Sequence, residues 1–422
     1  MTVAGLEAFS CDLLVIGAGM AGLTAAAAAA DAGKTVLVVE KAEELGGSAV
    51  LSSGYLWTLD GIEDFDAVDP GGDRSLQQVL VDEFPGLIER IKASGTPITD
   101  RMPVLHGSGH QIDVAGYFQR CVRKVESAGG QVIRGATVRE LSAGPDGVSG
   151  ALVDDTSGSV RVESAATLIA TGGFAQAPDV RGEMLGAAAR ELRARSGAYC
   201  KGGGLALARG AGAAELRTPG FYGHLVGASV SLDRPEVWDQ LTLLHSRAAW
   251  LFGRAGTRFT DESRGDNVNA EATVGQPGQR ALLVWDEKTH ADTVLVSWPP
   301  GSPAVDRFEV ALSLGAVGRL CCGPDEVAQY AGGLGFAAPA LPARAAGPMH
   351  VLLVEPTITF PFAGIKVDSG ARVLGRSGAP LAGLFAAGAD VGGVYAEGYA
   401  GGLSLAGTFA LRALRTAGFV GP

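Results

Sequence analysis

Gly17, Gly19 and Gly22 stand at the spacing G-x-G-x-x-G, between an apolar run at residues 13–16 and an alanine-rich stretch that begins with Met20 and Ala21. This pattern suits a dinucleotide. The first glycine permits a tight turn, the second lets a pyrophosphate approach the backbone, and the third lets helix and strand pack closely. The helix start offers unpaired N–H groups and a partial positive charge to phosphate. Glu40, at the end of a second apolar run, is placed to accept hydrogen bonds from adenosine ribose hydroxyls and to repel a 2′-phosphate. Gly46-Gly47-Ser48 follows closely as a second tight approach to the pyrophosphate. That doublet, and a fingerprint lying within the first 25 residues, favour FAD over NAD. His106 and His110 have i,i+4 spacing, but Gly107 and Gly109 argue against a helix and no third ligand is evident, so no metal site is expected.

The elements that must hold these groups follow from pattern. Residues 13–16 read as a strand buried on both faces, 23–32 as a helix capped by Gly33, and 35–39 as a second buried strand, which together make a βαβ unit. A helix is expected over 113–128, a strand over 131–134, a hairpin over 150–162 turning near Ser157-Gly158, and a further buried strand at 167–171. From 206 to 349 the pattern weakens, and polar residues such as His224, His245, Arg264 and Trp298 stand among short apolar runs. This stretch reads as a second domain inserted into a first made of residues 1–205 and 350–422. A strand at 383–387 and a helix at 404–417 close the first domain.

Composition narrows the function. With 422 residues, 47% apolar and 19% charged, the chain has room for a large core. A net charge of −11 argues against a nucleic-acid partner, which needs clustered Lys and Arg. Five scattered cysteines with no C-x-x-C pair argue against a disulfide scaffold, structural zinc or an iron–sulfur cluster, and a reducing cytoplasm is expected. Residues 13–30 carry no charge over nearly the length of a membrane span, but their glycines have the better explanation above and no Lys or Arg precedes them, so no membrane span is expected. There is no second G-x-G-x-x-G and no C-x-x-x-x-C after Gly47. Electrons are therefore expected to pass between the organic substrate and an external acceptor such as a quinone, oxygen or a carrier protein, without a bound NAD(P)H.

Four blocks, in order, carry a resemblance: residues 15–40 with Gly46-Gly47-Ser48; Ala170-Thr171-Gly172-Gly173-Phe174; residues 256–262; and residues 383–405. The chain resembles the flavoprotein family of fumarate reductase and succinate dehydrogenase subunits, 3-ketosteroid dehydrogenases and tricarballylate dehydrogenase. The resemblance implies an α/β fold, a Rossmann-like FAD-binding domain with an inserted α+β capping domain that closes over the flavin. It assigns the ribitol- and ring-binding backbone to Gly388, Gly402, Leu403, Ser404 and Leu405. Further cofactor contacts are expected at Lys41, Ser52, Ser53, Gly54, Val138, Ala170, Thr171 and Gly172. Where the family commonly has a Glu after Ala-Ala-Gly, this chain has Ala389 and then Asp390, also placed at the cofactor. No His lies in residues 48–54, where covalent members attach FAD, so the flavin is expected to be non-covalent.

The resemblance also orders the catalytic candidates. Dicarboxylate members place an Arg where this chain has Tyr399, ahead of Ala400-Gly401-Gly402. A tyrosine cannot make the bidentate charged contact that a carboxylate takes from Arg, but it donates one hydrogen bond to a ketone oxygen. Ketosteroid dehydrogenases have Tyr at the matching position. The family's paired histidines are replaced by the segment Thr359-Phe360-Pro361-Phe362-Ala363-Gly364, which fits a less charged substrate. His224 is the candidate acid or base. Arg264 stands near the place of a proton-delivering arginine, with Glu262 or Asp266 as a supporting carboxylate. Substrate contacts are expected from Tyr55, Trp57, Phe362, Gly402 and Leu403. The expected activity is desaturation of a cyclic ketone at the carbons α,β to its carbonyl. The alternatives are a dicarboxylate or tricarballylate-like dehydrogenase or reductase, and a flavin-binding module without catalysis.

Overall fold

The computed structural model describes residues 9–295, 304–345 and 347–421; the expectation for Trp298 lies outside the described residues. The chain divides into two compact units. One comprises Met1–Ala187, Ser196–Gly220 and Phe360–Pro422, the other Ala188–Arg195 and Phe221–Thr359. The helix Gly203–Gly210 and the strand Glu215–Leu216 thus lie in the first unit.

The first unit is built on an eight-stranded sheet whose main path runs Arg372–Leu374, Pro380–Ala386, Gly158–Ile169, Phe9–Ile16, Val36–Val39, Gln131–Ile133, with Gly147–Asp155 and then Thr137–Gly144 added on Gly158–Ile169. The last five strands of the main path run parallel. Such strands are covered on both faces, which is why Leu13-Leu14-Val15-Ile16 and Val36-Leu37-Val38-Val39 are unbroken apolar runs. Ile16 pairs with Ile169 and Ile169 with Ala386, so three strands stop level with one another. Their following loops, at residues 17–19, 170–173 and 387–390, share one edge of the sheet. This is the carboxyl edge where open α/β sheets bind ligands.

One local expectation needs revision, and two elements had no counterpart in the sequence reading. The hairpin arm and the separate strand at 167–171 are one strand, Gly158–Ile169, whose outer half pairs with Gly147–Asp155 and whose inner half enters the parallel sheet. The strand Thr137–Gly144 had no legible pattern because most of its residues are exposed or half-exposed. The helix Arg74–Ala93 was hidden by Pro85 in its interior; it is capped by Asp73, whose carboxylate accepts from the N–H groups of Ser75 and Leu76.

The second unit is α+β. The strand Met349–Pro361 is its axis, pairing with Ala281–Asp286, Gly318–Cys321, Phe221–Gly227 and Arg193–Ala194. Leu225, Leu251, Leu283, Trp285, Phe308 and Leu352 fill its main core. Among the described residues no helix is long and apolar enough to cross a membrane, and no group of three His, Cys, Asp or Glu side chains is placed to hold a metal ion.

Candidate active site

The opening βαβ unit brings a glycine-lined cradle to the sheet edge. Gly17 has φ +106, and a Cβ there would run into the Ala170 carbonyl; a Cβ at Gly22 would run into the Gly17 carbonyl and Val15. Gly19 is different. A Cβ there would meet only the Gly46 carbonyl oxygen at 3.7 Å, so protein packing does not require that glycine. The room above it suits a pyrophosphate approaching the start of the helix Met20–Asp31, whose first turn carries no acidic residue. Glu40 Oε2 accepts from the Ala18 N–H at 2.7 Å and Oε1 from the Ala42 N–H at 2.8 Å, which aims the carboxylate and leaves each oxygen a lone pair for a hydroxyl donor. The Gly46 N–H bonds to the Ala18 carbonyl at 2.9 Å, bringing the Gly46-Gly47-Ser48 turn beside the fingerprint. Ser48 Oγ accepts from the Gly197 N–H at 2.9 Å and contacts Cys200 Sγ at 3.3 Å. Lys41, Gly47, Ser52 and Ser53 are exposed, Gly54 is buried, and Val138 is a buried residue of the strand Thr137–Gly144.

The closing segment meets this cradle. A Cβ on Gly388 would lie 3.5 Å from the Cβ of Ala21 and 3.4 Å from that of Ala406, so the first helix, the 388–390 turn and the last helix converge there. Asp390 is buried, and its carboxylate accepts from Thr171 Oγ1 at 2.8 Å and from the N–H groups of Gly172 at 2.9 Å and Gly173 at 3.3 Å. Burial pushes its pKa up, and these hydrogen bonds oppose the rise. The acid that follows Ala389 therefore ties the 170–173 loop to the 388–390 turn, and Ala389 itself is half-buried. At the start of the last helix, Gly402–Thr416, Ser404 Oγ is fully buried with no hydrogen-bond partner among the described residues, and Leu405 is buried beside it. An orphaned buried hydroxyl on a helix N-terminus, beside the backbone of Gly401, fits a bound flavin.

Tyr399 lies in the same unit, on the loop before that helix. Its hydroxyl oxygen accepts from the Gly402 N–H at 2.7 Å, so the amide is directed at the phenol oxygen and strengthens the phenol O–H as a donor. Gly401 has φ +97, and a Cβ there would strike the Trp57 carbonyl, which keeps this turn glycine. Aromatic rings surround the phenol: Trp57, Phe360 and Tyr395 lie with centroids 5.6, 5.8 and 5.7 Å from that of Tyr399. Phe362 is buried behind them against Phe360 and Tyr395. Phe360, Tyr55, Tyr399, Gly402 and Leu403 are half-exposed. Tyr395 is fully buried and donates to the Gly401 carbonyl at 3.2 Å, so it braces the turn. Phe360 had been quoted only as part of an apolar segment; its place against Tyr399 shows only in three dimensions.

The second unit carries its own polar group. His224, on the strand Phe221–Gly227, is buried; its Nδ1 is hydrogen-bonded to Asp266, and its ring stands edge-on to Tyr222 at 4.8 Å. An imidazole whose Nδ1–H is given to a carboxylate presents Nε2 as a base. Asp266 was expected only as a relay for arginine. Glu262, the other expected relay, is buried and accepts from the Leu251 N–H and from Arg258, which makes it a structural ion pair. Arg264 is exposed on the turn Glu262–Arg264.

Residues 12–102 and 101–405 match the family described as FAD binding domain. The NADH:fumarate oxidoreductase of Klebsiella pneumoniae (strain 342) is 26% identical over 94% of this chain, and the chain spans 46% of that relative's length. A 46-residue stretch, 11% of the chain and 8% of the relative, is 56% identical to the 4-oxocyclohexanecarboxylate 2-dehydrogenase of Sinomonas cyclohexanicum. Among solved structures, the 3-ketosteroid-Δ4-(5α)-dehydrogenase of Rhodococcus jostii RHA1 in complex with 4-androstene-3,17-dione shares the fold at a TM-score of 0.75. It is 19% identical, and 99% of each chain is covered.

Proposed function

The chain belongs to the FAD-binding fumarate reductase and succinate dehydrogenase flavoprotein family, a family of oxidoreductases acting on CH–CH bonds, and from that premise we propose that it desaturates a cyclic ketone. The observation that carries this reading is the Tyr399 phenol, polarised by the Gly402 N–H at 2.7 Å and set in an aromatic surround where dicarboxylate enzymes use a cation. A ketone oxygen accepting from the phenol O–H has the charge that develops on loss of its α proton stabilised. His224, aimed by Asp266, is the proposed base for that proton. Non-covalently bound FAD, held by Gly17, Gly19, Gly22, Glu40, the 46–48 turn, the 388–390 turn and the N-terminus of the helix Gly402–Thr416, supplies the hydride acceptor. Phe360, Trp57 and Tyr55 present an apolar face to the ring skeleton of the substrate and limit water there. The match to a 4-oxocyclohexanecarboxylate dehydrogenase favours a small cyclic ketone as substrate. The external electron acceptor is a quinone, oxygen or a carrier protein, and the five unpaired cysteines suit a reducing compartment.

A second reading, ene-reduction of an unsaturated carboxylate, is favoured by the match to a fumarate oxidoreductase over 94% of the chain. Anaerobic mixing of the purified yellow protein with cyclic ketones, succinate and tricarballylate separates the two. Flavin bleaching by ketones alone, lost in Tyr399→Phe with unchanged FAD content, supports desaturation. Bleaching by carboxylates alone refutes it.

A further inference from the structure

We infer that Asp69 is the positioning residue of the Tyr399 phenol and its Gly402 amide, an inference that rests on the reading of that phenol as the ketone-binding group. Tyr399 sits in a glycine-rich stretch, residues 392–402, that belongs to no strand and has no ladder of its own to fix it. Its geometry is imposed from elsewhere. Asp69 ends the short helix Phe65–Val68 and is fully buried. Its Oδ1 accepts from three successive backbone N–H groups, those of Ala396 at 3.0 Å, Glu397 at 2.8 Å and Gly398 at 3.0 Å. Three consecutive amides converging on one carboxylate form an anion-binding nest, here closed by a side chain of the same chain.

The carboxylate is itself held. Gln77 Nε2 donates to Asp69 Oδ2 at 3.1 Å and also reaches the Asp69 carbonyl at 3.0 Å and the Val394 carbonyl at 3.3 Å. The Asp73 N–H bonds to the Gly393 carbonyl at 2.8 Å, and a Cβ on Gly398 would strike the Val68 carbonyl, so the two segments are in direct contact. The loop ahead of Tyr399 is thus closed onto residues 68–77, while Tyr395 holds Gly401 on the other side. The phenol is suspended between two clamps. Burial drives the Asp69 pKa up, and the three amides and Gln77 oppose the rise. A merely structural acid would not need to bind the three residues immediately before the proposed catalytic one.

The test uses holoenzyme and 4-fluorophenol, whose ¹⁹F shift reports ionisation of an oxygen that mimics the enolate. A rigidly held phenol donor favours the ionised probe. Asp69→Ala is expected to lower kcat with a cyclic ketone by about 10²-fold, the cost of a displacement on the order of 1 Å, with KM nearly unchanged. Asp69→Asn, which keeps one acceptor oxygen, should lose only about 10-fold on the same scale. The ionised fraction of bound probe should fall in the order wild type, Asn, Ala, towards the Tyr399→Phe value. Gln77→Leu, which leaves the carboxylate in place but unbraced, should give an intermediate fraction even if the Asp69 variants fail to fold. If wild type and Tyr399→Phe treat the probe alike, the ketone-binding reading fails. If they differ but the Asp69 and Gln77 variants match wild type, the ketone reading stands and the positioning role is overturned.

Discussion

Acid should loosen the second unit well above the pH at which carboxylates titrate. His245 and His350 lie in its core around Trp285, with ring centroids 4.8 and 5.3 Å from the indole, and His290 stacks on His350 at 3.9 Å. Burial, and then the Arg307 charge, pushes His245 down to about 3; burial, and then His290, pushes His350 down to about 4. In the unfolded chain both titrate near the ordinary value of about 6.5. Below that pH the unfolded state binds protons that the folded state refuses, so stability is complete above about 6.5 and is lost as pH falls toward the depressed folded values. Integrated from pH 7.5 to 5.0, the loss is about 2 kcal/mol for each histidine and about 4 for the two. That is a large share of a typical domain stability of about 5–15 kcal/mol. Asp306, paired with His290 at 3.2 Å, and Asp266 and Glu287 nearby attract protons to the cluster, whereas Arg307 repels them. Urea unfolding of the purified protein at pH 7.5, 6.5, 5.8 and 5.0, followed by the fluorescence of Trp238, Trp250 and Trp285, measures the slope. His245→Leu should remove about half of it. A midpoint that stays flat over this interval, or a slope that His245→Leu leaves intact, would refute the argument.

Gly19→Val should fold with near wild-type thermal stability yet purify colourless, because its new side chain enters the pyrophosphate space and touches little protein; Gly22→Ala, which collides with Gly17 and Val15, should lower the melting temperature itself. Asp390→Ala takes the acceptor from the Thr171 O–H and from the N–H groups of Gly172 and Gly173 in a buried place, and denaturant titration should show a loss of about 1–3 kcal/mol together with weaker FAD retention. Asp266→Asn should reduce turnover of the ketone by about 10²-fold while leaving FAD content unchanged, since it disturbs the base and not the flavin cradle.

What was legible in the sequence was what backbone geometry forces on residue type. The glycine spacing at 17, 19 and 22 could be interpreted because a turn, a ligand approach and a helix contact each exclude a side chain at a fixed offset, and the parallel strands could be interpreted because burial on both faces demands an unbroken apolar run. The inserted unit was legible only as a weakening of pattern, although its strand Ala281–Asp286 is as apolar as the opening one, because its pairing with Met349–Pro361 spans a long separation in sequence. Asp69 and Gln77 carried no signal at all: their partners lie more than 300 residues away, and nothing local to an acid after a short helix announces three amides waiting for it.

Asp390 makes the sharper case. Beside its relatives it looks like an acid shifted by one position, and position alone would move it away from the ribitol. In the folded chain that shift places the carboxylate between Thr171 and the amides of Gly172 and Gly173, joining the two strand-end loops that meet at the sheet edge. Tyr399 differs in the same informative way from the Arg that the resemblance places there in dicarboxylate members, since a phenol gives one hydrogen bond where a guanidinium gives a charged pair. A departure from a pattern acquires chemical meaning only when its partners are known, and at both positions those partners are backbone N–H groups that no residue type encodes.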